Sequence, residues 1–511
     1  MNRQESLLND IIKALSKLPG RRRFAASVVV SQTRKSPASL FPYAPGIHDQ
    51  EVYLQDVAVL VAEDVNKASK EDKSPSATPT DQPNGEKEDT SESYTYVSAL
   101  EAILYIFPAT HSVIIYVSKV DSTGQGRKPS PTRTLVVAFL EYVTRKWFGT
   151  YTTSAQDGRP HLSAWSTWVH LFARSQNQYL FPASIEYPGK RLLPDIALVK
   201  WWKGVVDDFA VAITSPHPST RRKEVSKYVI VPGLTPLEIS HALKIPLSNL
   251  TPSDWSIGHP YSKQDIRFPL GVRPPCSISQ LIPYFPDDPK ARLIDEIANS
   301  TSKASATVVS SPKRKRRKLN DGEQAIGENE SEAQEGKEED KVDMDFVRLV
   351  SAEEFWERMD GRQECRLGTV AFFTVHIKPE LDETCLVDSA TTHAPLRRAE
   401  ITPGMILKIT TALDSADFGS IEKSVRSTSA LQGMIKALTG GLVNVTSKIP
   451  GISQHVEEAA AADEEEVDIL STYITREVEV DNPELAPKTE PPAAAPVTIL
   501  TARKKKKPLV T

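Results

Sequence analysis

Apolar positions recur along the chain with two different periods, so the sequence predicts both strands and helices. Short runs rich in Val, Ile, Tyr and Phe predict strands; these are Phe24–Ser31, Val52–Val61, Ser112–Ser118, Tyr228–Val231 and Thr369–Ile377. Segments with apolar residues at helical spacing predict helices; these are Thr132–Trp147, Asp195–Val211, Pro236–Lys244, Pro289–Ala298, Ala352–Met359 and Ile421–Leu438. The two kinds of element alternate irregularly and without an internal repeat, which favours one mixed α/β core over a row of tandem domains.

Residues that commonly cap helices mark several of these boundaries. Ser351 with Glu354 three positions later has the spacing of a capping box. Asp288 followed by Pro289 is typical of a helix start, because an aspartate can accept a backbone N–H and proline suits the first helical position. Asp195 is expected to cap its helix in the same way.

Three stretches contain almost nothing to bury and are predicted to be flexible. Residues 66–93 and 302–341 are expected to be disordered inserts, and 482–511 a flexible tail rich in Pro, Ala and Glu. Without the inserts, residues 1–480 are expected to form a single domain.

Two basic clusters lie in these stretches, Pro312–Lys318 (PKRKRRK) and Arg503–Pro508 (RKKKKP). We interpret them as nuclear-localisation signals, with nucleic-acid contact as the competing use. The acidic tract that follows the first cluster could accompany basic histones, and solvation alone would also explain it.

The composition mainly excludes certain classes of protein. Of 511 residues, 39% are hydrophobic and 25% are charged, so the chain is neither collagen-like nor wholly disordered. The net charge of −4 is a balance of 62 basic and 66 acidic residues and indicates no partner. Three cysteines without C-x-x-C spacing argue against a disulfide framework and against a zinc site. With no signal peptide and no apolar run of membrane-spanning length, we expect a soluble protein of a reducing compartment.

An apolar strand that ends in a polar, glycine-containing loop is the first candidate site. The segment Tyr116–Gly126 (YVSKVDSTGQG) precedes the helix predicted from Thr132. Such a strand–loop–helix can aim backbone N–H groups and a helix N-terminus at a phosphate, and Arg133 would add positive charge. An ordinary surface turn is the alternative.

A series of aromatic and basic residues is the second candidate. It comprises Phe172–Pro182 (FARSQNQYLFP), Lys190–Leu193 (KRLL) and Lys200–Trp202 (KWW). Consecutive helical residues point about 100° apart, so only one of Trp201 and Trp202 can face deep into the core. The other is left for a neighbouring element or a ligand, such as a lysine stem or a pantetheine arm. Core packing is the alternative.

Two adjacent carboxylates form the third candidate, in Phe285–Arg292 (FPDDPKAR). Asp287 and Asp288 beside an aromatic ring could attract a lysine ammonium. One of them could help remove its proton, since a free lysine with a pKa of about 10.4 is not nucleophilic at neutral pH. A well-made helix start is the alternative.

Motifs of other enzyme classes are missing from the sequence. There is no GxSxG, HExxH, Walker or kinase motif, and the ten histidines show no metal-ligand spacing. Acyl transfer to an amine needs neither a metal nor a covalent nucleophile, so it is compatible with the three candidates.

The three candidate segments occur in the order YVSKVDSTG, FARSQNQYLFP with the downstream KWW, and FPDDPKAR. In this order they closely resemble the fungal histone acetyltransferases of the regulator of Ty transposition family. Ser351–Leu367 (SAEEFWERMDGRQECRL) is similar to the segment after that family's insert, and the lysine-rich C-terminus is similar to its nuclear-localisation tail. The resemblance covers roughly residues 100–300 and 345–380.

This resemblance implies a fold like that of the CBP-type acetyltransferases, with a central mixed β-sheet wrapped by helices. It implies acetyl-CoA as donor, no metal, and newly made histone H3, in H3–H4, as acceptor. The main target would be the core-facing lysine of the N-terminal helix of H3, with tail lysines as lesser targets. It also implies dependence on histone chaperones of the anti-silencing and nucleosome-assembly-protein classes. The setting would be the nucleus, in replication-coupled nucleosome assembly and the DNA damage response, with no membrane and no sequence-specific nucleic acid as partner.

The resemblance also assigns site residues. The positions implied to bind the donor are Val120, Asp121, Ser122, Arg133, Phe172, Gln176, Lys190, Arg191, Leu192, Leu193 and Trp201. The positions implied to serve catalysis or the substrate lysine are Asp121, Tyr179, Trp202, Asp287 and Asp288, with Asp288 the favoured contributor to deprotonation. Lys290 matches a lysine that becomes autoacetylated.

Three departures from the family pattern bear on the donor loop. Arg191 replaces a histidine, Gln176 replaces a small residue, and 127–132 is rich in proline. The rival hypothesis is a non-enzymatic nuclear protein that binds chromatin or histones through its charged tracts.

Overall fold

The computed structural model describes residues 7–42, 51–65, 93–147, 150–154, 160–164, 166–215, 223–247, 255–261, 282–297, 350–366, 370–379, 400–440 and 474–484. The inserts predicted at 66–93 and 302–341 and both basic clusters lie outside the described residues, except for Ser93. Of the tail predicted at 482–511, only 482–484 are described. The flexibility of these stretches and the single domain over 1–480 stay predictions.

Eleven strands of the described chain form one mixed sheet. They are β1 (Gly20–Ser31), β2 (Arg34–Lys35), β3 (Tyr53–Asp64), β4 (Tyr94–Phe107), β5 (Ser112–Ser122), β8 (Ser166–Arg174), β9 (Lys223–Ile230), β10 (Trp255–Ile257), β11 (Val370–Pro379), β12 (Glu400–Ile401) and β13 (Thr475–Asn482). The strand order is β10-β9-β11-β8-β5-β4-β3-β1-β12, with β2 on β3 and β13 on β1. A separate antiparallel pair consists of β6 (Thr150–Ser154) and β7 (Pro160–Ala164).

One pair of parallel strands in the middle of the sheet determines where the candidate site lies. β5 and β8 run in the same direction, with Ser112 opposite Ser166 and Val117 opposite Leu171. The carboxyl ends of parallel neighbours meet at one edge of a sheet, which is where ligands of such sheets usually bind. The loops that follow β5 and β8 are therefore brought together, although β6 and β7 separate the two strands in sequence.

Helices cover both faces of the sheet. They are α1 (Leu7–Leu15), α2 (Thr132–Tyr142), α3 (Asp195–Thr214), α4 (Pro236–Leu243), α5 (289–297), α6 (Ala352–Asp360), α7 (Gln363–Arg366), α8 (Pro403–Asp414) and α9 (Ile421–Thr439). Helices α1 to α4 share one hydrophobic cluster with the sheet. On the opposite face, α5 to α7 bury a second cluster, and α8 and α9 bury a third beside it. The predicted mixed sheet wrapped by helices is confirmed.

The alternation of side chains along β8 and β11 assigns residues to the two faces. Leu171 and Phe373 point into the α1–α4 cluster, whereas their neighbours Phe172 and Phe372 point into the α5–α7 cluster. Successive strand residues face opposite sides, so these assignments follow from the period of two. They decide which candidate residues can meet.

The predicted helices are all present, and the errors concern strands, one cap and a helix that was not predicted. The long β4 and the central β8 were not predicted, because central strands buried on both faces read as continuous apolar runs without alternation. The helix α8 was also missed. The expectation that Asp195 caps α3 is wrong: the cap position is Pro194, and no side chain accepts a capping hydrogen bond there. No helix of the described residues is long and apolar enough to cross a membrane.

Candidate functional site

Asp121, near the end of β5, organises the loop that follows β8. One carboxylate oxygen accepts hydrogen bonds from three consecutive backbone N–H groups, of Tyr179 at 2.7 Å, Leu180 at 2.9 Å and Phe181 at 3.2 Å. The other oxygen accepts from the backbone N–H of Ser122 at 2.8 Å. A carboxylate that receives several backbone donors fixes the position of the segment that supplies them. Asp121 therefore joins the two loops at the carboxyl edge of the parallel pair.

Lys190 completes this arrangement as a buried ion pair with Asp121. Its ammonium lies 3.0 Å from Asp121 and 2.6 Å from the Ser184 hydroxyl, and the two charged side chains are only 5% and 7% exposed. The loops also touch through their backbones, since a Cβ on Gly124 would lie 2.5 Å from the Cα of Lys190. Gly124 has φ +76°, a conformation that favours glycine. A larger residue at 124 would separate the loops.

Three backbone donors of the loop after β5 are engaged by the loop itself and by the neighbouring strands. The N–H of Thr123 donates to Val97, that of Gln125 to the Thr123 hydroxyl, and that of Arg127 to Glu63. These three N–H groups are therefore not available to a phosphate, and the donor site in this loop stays a prediction. Arg133 is also engaged, by Asp208 of α3 at 2.6 Å.

A buried pair holds the proline-rich part of this loop. Arg22 of β1 forms two hydrogen bonds with Glu63 of β3, at 2.8 and 2.9 Å. The same guanidinium donates to the carbonyl groups of Arg127 and Pro129. The departure from the family pattern at 127–132 therefore has its own anchor in the sheet.

The segment after Lys190 is exposed at the same edge. Leu192 and Leu193 are 37% and 39% exposed, and Arg191 is exposed beside them. Gln176 in the opposite loop is exposed as well. An apolar surface next to a cation has the chemistry to hold a pantetheine chain and a phosphate. The residues at this edge thus fit a donor such as acetyl-CoA.

The two tryptophans of α3 separate as their helical spacing predicts. Trp202 is buried in the α1–α4 cluster, whereas Trp201 is half-buried at its margin, edge-on to Trp202 at 4.9 Å. Val120 packs against the same cluster. The burial of Trp202 agrees with the core-packing alternative.

Asp288 and Lys290 form a second buried ion pair, on the face of the sheet opposite to Trp202. Asp288 accepts from the Lys290 backbone N–H at 2.9 Å and pairs with the Lys290 ammonium. The side chains are 1% and 5% exposed. The ammonium lies 4.5 Å from the ring centre of Phe372, which itself packs against Phe172. The pair caps α5, as the sequence predicts for Asp288.

Asp287 differs from its neighbour in being exposed. It interacts with the hydroxyl group of Tyr116, whose ring stacks on Phe285 with centres 4.0 Å apart. Burial, followed by the charges of Asp288 and Asp287, raises the pKa of Tyr116, so this hydroxyl stays protonated. Of the two carboxylates, Asp287 is therefore the one accessible to a substrate.

Tyr179 lies at the same sheet edge, in the loop that follows β8. Its backbone N–H binds Asp121, and its half-buried hydroxyl donates to the carbonyl of Arg174 at 2.7 Å. Burial raises the pKa of Tyr179 to about 12. The structure thus brings Asp121, Tyr179 and Lys190 together, and separately joins Asp288 to Lys290, whereas Trp202 lies on the opposite face of the sheet from that pair.

A buried histidine of β8 lies beside Lys290. Burial, and to a lesser degree the Lys290 charge, lowers the pKa of His170 to about 3. His170 also lies 5.8 Å from Phe285, centre to centre. It is therefore neutral in the folded protein over the physiological range.

We expect His170 to make the protein lose stability in acid. The unfolded chain binds a proton at its ordinary pKa near 6.5 and the folded chain only near 3, so stability is lost as the pH falls between these values. His170→Asn should flatten the dependence of unfolding free energy on pH by about 1.4 kcal/mol per unit below pH 6. Urea unfolding from pH 4 to 8 measures this dependence. His241→Asn, at an exposed position of α4, is the control. Equal slopes in the wild type and both variants contradict the prediction.

Two residues of this region were missed in the sequence. The Ser184 hydroxyl accepts a hydrogen bond from the Lys190 ammonium, and Glu101 of β4 forms an ion pair with Lys119 at 3.1 Å. A lone acidic residue inside the apolar run SALEAILY was a usable signal for Glu101, whereas nothing local distinguishes Ser184. Among the described residues, no group of three or more His, Cys, Asp or Glu side chains is arranged to hold a metal ion.

Comparison with known proteins agrees with the resemblance seen in the motifs. The model of the histone acetyltransferase KAT11-type domain matches residues 160–440. The histone acetyltransferase rtt109 of Aspergillus flavus is 28% identical over 302 residues, 55% of this chain and 45% of the relative. That of Schizosaccharomyces pombe is 26% identical over 295 residues, 56% of this chain and 58% of the relative. The chain thus spans about half the length of the curated relatives it matches.

A solved structure supports the same fold. The crystal structure of Rtt109 from Aspergillus fumigatus aligns with a TM-score of 0.59 and 22% identity, over 94% of this chain and 100% of that one. The family model covers more than half of the chain, and the fold is shared. The chain therefore belongs to the family of histone acetyltransferase KAT11-type domains.

Proposed function

We propose that this protein is a histone acetyltransferase that moves the acetyl group of acetyl-CoA to a lysine of histone H3. The observation that carries the proposal is the match of the acetyltransferase family model to residues 160–440. That range contains the loop after β8, the exposed segment 191–193 and the carboxylates of Asp287 and Asp288. The proposed acceptor carboxylates and part of the proposed donor site thus lie in the part that defines the family, whereas Val120, Asp121, Ser122 and Arg133 precede it.

The residues at the sheet edge have the chemistry for the donor. Arg191 would face a phosphate, and Leu192 and Leu193 would cover the apolar arm, while Lys190 and Asp121 hold the loop in place. The other proposed donor contacts are Val120, Ser122, Arg133, Phe172, Gln176 and Trp201. In the transfer, the neutral lysine amine attacks the thioester carbonyl, a C–N bond forms, the C–S bond breaks and the thiol leaves with a proton.

Deprotonation of the lysine is assigned to Asp287 rather than Asp288. Asp288 is buried and its two oxygens are engaged by Lys290, so its first role is to hold that ion pair. Asp287 is exposed and lies beside Tyr116, where it could orient an ammonium or accept its proton through water. Tyr179 is proposed to line the lysine channel, whereas Trp202, buried in the α1–α4 cluster on the opposite face, is assigned to packing. Autoacetylation of Lys290 stays a prediction.

The finer features of the proposal rest on the resemblance to the family. We propose H3–H4 as substrate, with the core-facing lysine of the N-terminal helix of H3 as main target and tail lysines as lesser ones. We further propose stimulation by anti-silencing and nucleosome-assembly-protein chaperones, action in replication-coupled nucleosome assembly and the DNA damage response, and a nuclear location.

An acetylation assay tests the proposal. The purified chain should acetylate H3–H4 from acetyl-CoA, faster with either chaperone, and mass spectrometry should map the modified lysines. Asp287→Asn should lower kcat by about 100-fold, in the range typical of a general base, without raising the Kd for acetyl-CoA. Absence of transfer with both chaperones present contradicts the proposal.

The rival hypothesis predicts a different result. A histone-binding scaffold has no reason to bind acetyl-CoA, so calorimetry with acetyl-CoA and no histone separates the two. Binding that is lost in Leu192→Asp and Leu193→Asp supports the enzyme, and no binding supports the scaffold.

A further inference from the structure

A cleft that none of the proposed site residues lines lies between the sheet and α8. It measures about 430 Å³, within the range of sites for small ligands or single side chains. Its floor is formed by β3, β4 and β5, including Ala58, Ile103 and Ser118, and its roof by Pro403 and Leu407 of α8. Leu407 is 66% exposed, so the roof presents apolar surface to solvent. The walls are suited to an aliphatic chain.

Glu101 supplies the charge of this cleft. Its side chain lines the cleft and is 17% exposed, with Lys119 at 3.1 Å. Burial raises the pKa of Glu101, Lys119 opposes the rise, and Asp414 and Asp287 add to it. Asp414 and Asp287 thus lie near enough to make the surroundings of Glu101 more negative.

The charges around the cleft do not balance. Asp56, which also lines it, is paired with Arg34 at 2.5 Å. Lys119 offsets Glu101, so the excess comes from the carboxylates of Asp287 and Asp414, which act on Glu101 from nearby and do not line the cleft. An apolar passage with excess negative charge attracts a side chain that has an aliphatic stem and a cationic head.

We propose that this cleft docks a second basic side chain of the protein substrate, a lysine or an arginine, with Glu101 receiving its charge. The inference rests on the proposed function, because it assumes a substrate rich in lysine and arginine. Asp287 lies near Glu101, so the docked residue would lie close to the proposed deprotonation site. Glu101 would thereby select substrates that carry a further basic residue near the acetylated lysine.

Binding of fluorescein-labelled hexalysine, followed by fluorescence anisotropy without acetyl-CoA, tests this inference. Glu101→Gln should weaken binding by about tenfold, the loss of about 1.4 kcal/mol expected for one charge-assisted contact. Lys119→Met should tighten binding, because it leaves the Glu101 charge without its competitor. Hexa-arginine in place of hexalysine shows which cation is preferred, and fully acetylated hexalysine should bind to none of the proteins.

Two further variants separate docking from folding. Gly404→Leu should weaken binding by filling the cleft, since Gly404 lines it and a Cβ there meets no atom within 4 Å. Glu354→Gln is the matched control, because it removes an exposed glutamate that pairs with Arg358 on α6, away from the cleft. It should leave binding unchanged.

The opposite signs expected at positions 101 and 119 make the inference refutable. If both variants weaken hexalysine binding alike, the pair is only structural. If Gly404→Leu alone weakens binding, the cleft takes an apolar ligand. If no variant changes binding, cations do not bind in the cleft. Each of these results overturns the inference, and none depends on whether the wild type transfers acetyl groups.

Discussion

Replacement of Asp121 by alanine is expected to lower the free energy of unfolding by about 3–5 kcal/mol, the usual cost of breaking a buried ion pair. The variant leaves the Lys190 ammonium buried without its carboxylate. It also leaves three consecutive N–H groups, from Tyr179 to Phe181, without their acceptor. The loop after β8 should then detach from β5, and affinity for acetyl-CoA should fall with it. Urea unfolding and calorimetry with acetyl-CoA measure the two effects.

A double variant distinguishes the charge from the hydrogen bonds. Asp121→Asn with Lys190→Met removes both charges and keeps an oxygen acceptor for the loop. It should therefore recover most of the stability lost in Asp121→Asn alone, because neutral replacements of buried pairs are often tolerated. Should Asp121→Ala unfold like the wild type, Asp121 does not anchor the loop.

Asp288→Ala is expected to destabilise the protein by a similar amount, about 3–5 kcal/mol. The Lys290 ammonium would stay buried above Phe372 with no counter-charge, and α5 would lose the side-chain acceptor of its first turn. Loss of a cap alone costs only about 1 kcal/mol, so most of the effect should come from the ion pair. Urea unfolding at pH 7 measures the change.

The neighbouring carboxylate supplies the matched control. Asp287→Ala should change stability by less than about 0.5 kcal/mol, as is usual for exposed positions, while it impairs acetylation. Asp288→Ala combined with Lys290→Met should regain most of the stability of the single variant. Near-normal turnover of a folded Asp288→Asn protein excludes a catalytic role for Asp288. Equal destabilisation by the substitutions at 287 and 288 contradicts the assignment of structural and substrate roles.

The α2 and α3 helices and the start of α5 could be predicted because their signals are local. Asp288 and Pro289 lie next to the turn that they cap, so the sequence alone identifies the boundary. The motif order is also local information, and it was sufficient for the family. The strand β4 could not be predicted in this way, because it is buried on both faces and therefore lacks the alternation of apolar and polar residues that marks a strand.

What the sequence by itself determined is therefore the mixed α/β class, the positions of six helices, the family and the set of candidate residues. Only the tertiary structure decided which of them meet. Asp121 binds a loop 58 residues away because β5 and β8 are parallel neighbours. Glu101 lines a cleft because α8, some 300 residues later, packs over β1 and β3 beside it. Contacts between such distant residues depend on the order of the strands and on which face of the sheet each side chain points to. Both are set by burial across the whole sheet, so they cannot be read from the local spacing of residues.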